Sequence, residues 1–276
     1  MIRLVATDLD GTLLRSDRSV SERTRLVLER AQAAGVTVVL VTARPPRGAA
    51  LVADAAGLSG LAICANGASV YDLDAERIVE HRPLASEVAA RLVHGLREAA
   101  PGVTFAVERE LAFSREAAFE LNPEWPVPEH DVHADALTLV ALPATKLVLR
   151  HPALPHAQLL ALATALAGAD ASVTHSSEAI VEISATGANK AAALAELCRD
   201  LEVPSEAVVA FGDMPNDLAM LRFAGLGVAV ANGHPDVLAA ADEITAANDE
   251  DGVALVLERL LEAGSRLQIE QPGSSA

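Results

Sequence analysis

Short apolar runs alternate with amphipathic segments along the first third of the chain. The apolar runs predict buried strands, and the segments with apolar residues at helical spacing predict helices. The predicted strands cover residues 2–6, 36–41 and 61–65, and the predicted helices cover residues 19–34 and 45–56. Ser19 and Glu22 fit a capping box at the start of the first helix. This alternation predicts a parallel sheet with helical crossovers.

The alternation stops after a predicted hairpin at residues 69–72 and 77–81, and it returns near residue 185. Between these points the sequence predicts an α+β pattern, with helices at 85–100 and 154–167, strands at 103–107, 111–113, 146–150, 172–175 and 180–183, and a polar loop at 121–135. Beyond them it predicts helices at 189–201, 215–223, 235–240 and 252–263, strands at 207–211 and 226–230, and a loose tail at 265–276. We therefore expect an α/β fold, with a Rossmann-like parallel-sheet core of residues 1–82 and 185–276 and an inserted α+β domain of residues 83–184.

Composition narrows the function classes. Among 276 residues, 21 are Lys or Arg and 38 are Asp or Glu, which gives a net charge of −17. This charge disfavours a nucleic-acid binder or an anionic-membrane binder, so neither partner is expected. Cys64 and Cys198 are too few for a disulfide scaffold and are expected to be reduced core thiols. With no secretory signal and no apolar stretch of membrane length, a cytoplasmic protein is expected, and the sequence does not determine its oligomeric state.

Acidic residues follow two of the predicted strands. Asp8 and Asp10 come directly after the first strand, and residues two apart in an extended chain point the same way. Asp213 follows the strand at 207–211, and Asp217 lies four residues later, on the same face of a helix. Oxygen-rich clusters at strand ends suit Mg²⁺. Taken singly, each pair could also be an acidic turn or a helix N-terminal acid.

Two further segments carry groups that can bind an anion. Thr42, Ala43 and Arg44 end the second strand and offer a hydroxyl, backbone N–H groups and a guanidinium to a phosphate oxygen. Lys190 opens a predicted helix, a position where a cation is mildly unfavourable. A solvated surface lysine is the alternative interpretation.

In this order, the motifs resemble those of the haloacid dehalogenase superfamily, and within it the Cof-type hydrolases of class IIB, which have a large inserted cap. The resemblance covers nearly the whole chain. The matching stretches are residues 8–14 (DLDGTLL), 42–44 (TAR), 66–68 (NGA), Lys190, 212–221 (GDMPNDLAML) and 248–254 (NDEDGVA).

The resemblance implies phosphoryl transfer through an aspartyl-phosphate. Asp8 would be the nucleophile, and Asp10 would be the general acid and then the general base. Mg²⁺ would be the cofactor, with the implied metal ligands Asp8, Asp10 through its backbone carbonyl, Asp213 and, in support, Asp217. The implied phosphate or substrate ligands are Thr42, Ala43, Arg44, Lys190, Asn216 and Asn66.

Several of these assignments leave alternatives. Ala43 stands where the family usually has Gly, so this loop must use backbone angles allowed to an L-residue. Ala191 also replaces a usual Gly. Arg44 could bind phosphate, contact the leaving group or only pair with an acid, and Asn66 could bind the leaving group or only form a turn.

The inserted domain would be the cap that covers the site. Its loop at residues 129–135 contains possible metal ligands, but their spacing fits no known metal motif and favours a polar loop. These ligands are His130, Asp131, His133 and Asp135. This loop or residues 108–110 could instead select the substrate.

Three functions remain in view. The first is a Mg²⁺-dependent phosphatase of small phosphorylated metabolites, sugar phosphates first among them. The second is a phosphomutase, or a phosphatase dedicated to a nucleotide or cofactor phosphate. The third is a phosphate-binding protein with little turnover, which the intact set of Asp8, Asp10, Lys190 and Asp213 argues against.

Overall fold

The computed structural model describes residues 1–121, 132–177 and 179–269 of the chain, without the side chains of residues 176, 177 and 264–269. Its first elements are β1 (Leu4–Thr7), α1 (Glu22–Ala33), β2 (Thr37–Val41), α2 (Pro46–Ala56), β3 (Leu61–Cys64), β4 (Ser69–Asp72) and β5 (Arg77–His81). The next are α3 (Ser86–Ala99), β6 (Thr104–Arg109), β7 (Ala112–Arg115), β8 (Val132–His133), α4 (Ala136–Leu139), β9 (Lys146–Arg150), α5 (His156–Ala167), β10 (Ala171–Ser177) and β11 (Ile180–Ala185). The last are α6 (Lys190–Asp200), β12 (Val208–Gly212), α7 (Leu218–Phe223), β13 (Leu226–Val230), α8 (Pro235–Ala240), β14 (Glu243–Thr245) and α9 (Gly252–Ile269).

The strands form two sheets. The first has eight strands in the order β14-β13-β12-β1-β2-β3-β4-β5. Its strands from β14 to β3 are parallel, and β4 and β5 complete it as an antiparallel edge. The second sheet has six strands in the order β10-β11-β9-β6-β7-β8. The α/β fold expected from the sequence is therefore confirmed, while the limits of the inserted domain at residues 83 and 184 stay a prediction.

Helices cover both faces of the first sheet. Leu28 of α1, Val52 of α2 and Leu257 of α9 pack on one face. Leu194 of α6 and Leu221 of α7 pack on the other. A sheet buried on both faces needs apolar residues at nearly every position, which explains why its strands read as continuous apolar runs. The second sheet has its own apolar core, which it shares with α3 and α5.

Three local predictions need correction. Ser21, not Ser19, caps α1, because its side chain accepts a hydrogen bond from the backbone N–H of Thr24, whereas Ser19 binds Asp17 in the preceding turn. The last helix continues through Ile269 instead of ending at residue 263. The segment at 215–223 begins as a 3₁₀ turn before α7.

Every helix in the described parts of the chain is too short or too polar to span a membrane. Cys64 and Cys198 are buried and free, as expected.

Candidate functional site

Polar side chains gather at one edge of the first sheet, where β1 and β12 lie side by side and parallel. The chain continues from β1 to β2 and β3 on one side, and from β12 to β13 and β14 on the other. The connections therefore reverse direction between β1 and β12, which is the place where open α/β sheets bind ligands. Asp8 follows β1 and Asp213 follows β12, so the fold brings the two predicted acidic motifs together.

Lys190 lies at the centre of this cluster. Its Nζ donates to Asp8 Oδ1 at 2.5 Å and to Asp217 Oδ1 at 2.6 Å. The side chain is only 1% exposed, so the solvated surface lysine is ruled out. Lys190 is the first residue of α6, and Asn189 caps this helix by accepting from the backbone N–H of Ala192. The helix start thus fixes the ammonium group between the two strand ends.

Backbone and hydroxyl donors hold the two acids after β12. Thr12 Oγ1 donates to Asp213 Oδ1 at 2.8 Å. Asp217 Oδ2 accepts from the backbone N–H groups of Asp213 at 3.1 Å and Met214 at 3.0 Å. Gly11 has φ +82°, and a Cβ there would lie 2.5 Å from Asp213 Oδ2. Glycine at this position therefore allows the turn after β1 to approach the Asp213 carboxylate.

Burial changes the acidity of these groups. Burial raises the pKa of Asp8 well above its ordinary value, although Lys190 opposes the change. Burial, with Asp217 nearby, raises the pKa of Asp213 to about 6. For Lys190, burial opposes the charge, but the carboxylates of Asp217 and Asp8 outweigh it and raise the pKa. The cluster thus has more negative charge than one lysine can balance.

The donor set fits a divalent cation. Asp8, Asp213 and Asp217 each place a carboxylate oxygen within 4.8 Å of the others. Oxygen ligands are the donors that hard cations such as Mg²⁺ prefer, and the excess negative charge favours one. The Asp10 carboxylate is not part of this group, and the predicted role of its backbone carbonyl stays a prediction.

Asp10 instead pairs with Arg44. The Arg44 Nε lies 2.7 Å from Asp10 Oδ2 and its Nη2 lies 2.5 Å from Oδ1, which is a bidentate ion pair. The Asp10 side chain is 53% exposed. Of the three roles considered for Arg44, pairing with an acid is the one that the structure contains.

The loop after β2 has the predicted polar groups in place. Thr42 is buried, and its Oγ1 accepts from the backbone N–H of Arg44 at 3.0 Å. Ala43 does not have a positive φ, so its substitution for glycine is compatible with the loop. The phosphate-binding role of both residues stays a prediction.

Asn216 and Asn66 contact each other. Asn216 Nδ2 donates to Asn66 Oδ1 at 3.0 Å, and the role of Asn216 as a phosphate or substrate ligand stays a prediction. Asn66 is both a turn residue, with φ 56°, and a buried contact to the second sheet. Its Nδ2 lies 3.4 Å from Thr174 Oγ1 and 3.4 Å from Glu182 Oε2.

Of the charged residues through which the second sheet faces this edge, the sequence indicated only Glu108, within residues 108–110, and not the others. Lys146 Nζ donates to the Ala43 carbonyl at 2.8 Å and forms an ion pair with Glu182. Arg47 of α2 forms a bidentate ion pair with Glu108, with both N–O distances 2.7 Å. The sequence did contain a sign of Lys146 and Glu182, because each is a charged residue in a strand that is otherwise mostly apolar.

The predicted polar loop of the inserted domain is only partly described. His130 and Asp131 lie outside the described residues. His133 ends β8. Asp135 caps α4 by accepting from the Leu137 N–H, and it also pairs with Arg97. Asp135 therefore has a structural role.

Comparison with known proteins gives the family. The sequence model of the haloacid dehalogenase-like hydrolase family matches residues 5–257 of the chain. The 5-amino-6-(5-phospho-D-ribitylamino)uracil phosphatase YcsE of Bacillus subtilis is 32% identical, over 92% of this chain and 93% of its own. A second 5-amino-6-(5-phospho-D-ribitylamino)uracil phosphatase of the same organism, YitU, is 33% identical over 92% of this chain and 96% of its own.

A solved structure agrees. The chain is similar to a haloacid dehalogenase-like hydrolase from Bacteroides thetaiotaomicron, with a TM-score of 0.79 and 29% identity over 94% of this chain and 100% of the other. The predicted resemblance and the predicted enzyme class, a phosphatase, are both confirmed. The chain belongs to the haloacid dehalogenase-like hydrolases.

Proposed function

We propose that the protein is a Mg²⁺-dependent phosphatase that hydrolyses phosphate monoesters of small metabolites through a phosphorylated Asp8. The observation that carries the proposal is the buried Lys190 ammonium, which joins Asp8 to Asp217 where the strand order reverses. This ammonium offsets part of the negative charge of a carboxylate that must approach a phosphate.

In the first half of the reaction, a carboxylate oxygen of Asp8 attacks phosphorus and the bond from phosphorus to the leaving oxygen breaks. Asp10 gives its proton to that oxygen. In the second half, water attacks the same phosphorus, Asp10 takes the proton from the water, and phosphate leaves Asp8. The Asp10 side chain is 53% exposed, and its bidentate ion pair with Arg44 must open before the carboxyl group can carry a proton to the leaving oxygen.

The remaining groups hold the phosphate. Thr42 Oγ1, the Ala43 backbone N–H and Lys190 Nζ would contact its oxygens. Asn66 and Asn216 would contact the substrate beside it. We assign residues 83–184 as a cap that covers the substrate and limits the access of water.

Asp8, Asp213 and the backbone carbonyl of Asp10 would hold Mg²⁺. Asp217 is assigned to support these ligands, because both of its oxygens already accept hydrogen bonds. When bound, the cation supplies positive charge that offsets the repulsion between carboxylate and phosphate.

Two substrate classes have support. The resemblance to the Cof-type hydrolases favours small sugar phosphates. The names of YcsE and YitU, phosphatases of a ribityl phosphate attached to a uracil, support a second candidate, a phosphatase dedicated to one larger phosphate. The location of the protein in a reducing cytoplasm, with which its two free cysteines agree, stays a prediction.

The test is phosphate release from a panel of phosphorylated metabolites, with and without Mg²⁺. We expect Mg²⁺-dependent release by the wild type and a loss of at least about 1,000-fold in Asp8→Asn, which keeps the shape of the side chain but removes the nucleophile. A phosphomutase would instead need a bisphosphate for activity. Release that survives in Asp8→Asn would contradict the proposal.

A further inference from the structure

Four polar side chains meet where the second sheet covers the sheet edge that carries Asp8. We call them the polar seam: Asn66 and Asn216 from the first sheet's loops, and Thr174 and Glu182 from β10 and β11. Thr174 and Glu182 are directly opposite each other in the antiparallel pair of β10 and β11, so they share one face of the second sheet. The two sheets thus contribute equally to the seam.

Glu182 is the charged member of the seam. Its side chain is 2% exposed, and its Oε1 accepts from Lys146 Nζ. Among the residues that the structure describes, its Oε2 has one hydrogen-bond contact, a long one of 3.4 Å with Asn66 Nδ2. Lys146 therefore orients the Glu182 carboxylate, while the second carboxylate oxygen has unused capacity to accept hydrogen bonds.

Stability alone does not account for this ion pair. Removing two charges from water costs several kcal/mol per ion, and replacing a buried pair with apolar residues is often neutral or stabilising. The other face of the same sheet is apolar: Leu147, Val181 and Ile183 pack against α3 and α5 there. The position of the pair, facing the loops of the first sheet, indicates a role at the interface.

Asn216 provides independent evidence. Its Oδ1 is buried and has no hydrogen-bond partner among the residues that the structure describes. Buried polar atoms of this kind are uncommon, because leaving one unpaired costs free energy. One hydroxyl group placed in the seam would donate to Asn216 Oδ1, and a second would donate to Glu182 Oε2.

The seam also lies at the correct place for a leaving group. Asn216 immediately precedes Asp217, which binds Lys190, and the backbone N–H of Asn66 donates to the Thr42 carbonyl at 3.0 Å. The seam is therefore next to the groups assigned to the phosphate and is closed on the other side by the second sheet.

We propose that Glu182 is a specificity-determining residue, which accepts hydrogen bonds from hydroxyl groups of the leaving group, with Asn66, Asn216 and Thr174 as its partners in the seam. The substrates selected in this way are phosphate monoesters of polyols and sugars rather than of alkyl or aryl alcohols. This inference rests on the proposed phosphatase function and extends it to the leaving group.

The test compares ribitol 5-phosphate with n-pentyl phosphate, which has the same carbon chain without hydroxyl groups on it. The wild type should prefer the ribitol ester by at least about 100-fold in kcat/KM, because a site built for hydroxyl groups rejects an analogue without them. Glu182→Gln keeps the size of the side chain. We expect it to lower kcat/KM for the ribitol ester about 10- to 100-fold, mainly through KM, and to change the pentyl ester less than about threefold.

The matched control is Glu116→Gln. Glu116, which follows β7, is also a largely buried carboxylate paired with a cation, but its partner is Arg97 and it lies outside the seam. We expect it to leave the preference between the two esters within about threefold. Thr174→Val, which removes only a hydroxyl group, should lower the preference in the same direction as Glu182→Gln.

The role of Glu182 and the phosphatase function can fail independently in this experiment. Equal losses on both esters in Glu182→Gln, no loss on either, or a wild type without preference would overturn the role of Glu182 while the phosphatase stands. If the wild type releases phosphate from no ester in the presence of Mg²⁺, the proposed function itself fails.

Discussion

Two buried clusters of charge face each other in this protein, and they differ in balance. On the first sheet, the carboxylates of Asp8, Asp213 and Asp217 surround the single ammonium of Lys190. On the side of the second sheet, two carboxylates meet two cations, in the pairs Glu108 with Arg47 and Glu182 with Lys146.

The difference shows what each cluster lacks. A buried charge without a partner is unstable, so the first cluster must gain a cation or protons. The second cluster is already neutral and offers only hydrogen-bonding capacity. Three predictions test this contrast.

The largest effect should come from removing one lysine at a time. Lys190→Met and Lys146→Met should each lower the free energy of unfolding by about 3–5 kcal/mol, because each leaves buried carboxylate charge without its partner. Saturating Mg²⁺ should restore part of the loss only in Lys190→Met, where the carboxylates can bind a cation in its place. Urea unfolding at pH 7, with and without Mg²⁺, measures both values. Equal responses of the two variants to Mg²⁺ would contradict the contrast.

The next effect is stabilisation of the wild type by the metal. Mg²⁺ at 100 times its dissociation constant should add about 2.7 kcal/mol to the free energy of unfolding. For a chain of this size, this corresponds to an increase in Tm of about 5–10 °C. Asp213→Asn should lose most of the increase, and Glu182→Gln, from the balanced cluster, should keep it. Thermal unfolding followed by circular dichroism provides the comparison.

The smallest effect concerns pH. Because the pKa of Asp213 is raised to about 6, the metal-free folded protein takes up a proton that the unfolded chain does not take up until lower pH. Asp213 therefore adds stability to the metal-free protein as the pH falls from 7 to 5, and this contribution disappears as the pH rises through 6.

Metal affinity should change in the opposite direction. A proton on Asp213 competes with the cation, so Mg²⁺ affinity should fall about tenfold from pH 7.5 to pH 5. Calorimetric titration measures the Mg²⁺ affinity. The contribution of Asp213 to stability is the difference between the free energies of unfolding of the metal-free wild type and Asp213→Asn, measured from pH 7 to pH 5. An affinity that does not vary with pH would remove Asp213 from the metal ligands.

The sequence predicted the first cluster well and the second poorly, and the reason is physical. Asp8 and Asp213 follow apolar strands whose ends must meet in a parallel sheet, so their proximity follows from the pattern of elements. Glu182 and Lys146 meet because of the register of antiparallel strands and the placement of one sheet on another. Neither is encoded in local spacing, and the sequence left Asn66 as either a leaving-group ligand or a turn residue, without its contact to Glu182.

The contact between Thr12 and Asp213 spans 201 positions in the chain, and this separation affects how the protein is made. During synthesis, β1 pairs with β2 early, but its other edge stays open until β12 leaves the ribosome. An open edge in a central apolar strand is a template for aggregation, and contacts so distant in sequence form slowly. We therefore expect truncated chains that end before β12 to aggregate, and the final step of folding to be the insertion of β12 beside β1.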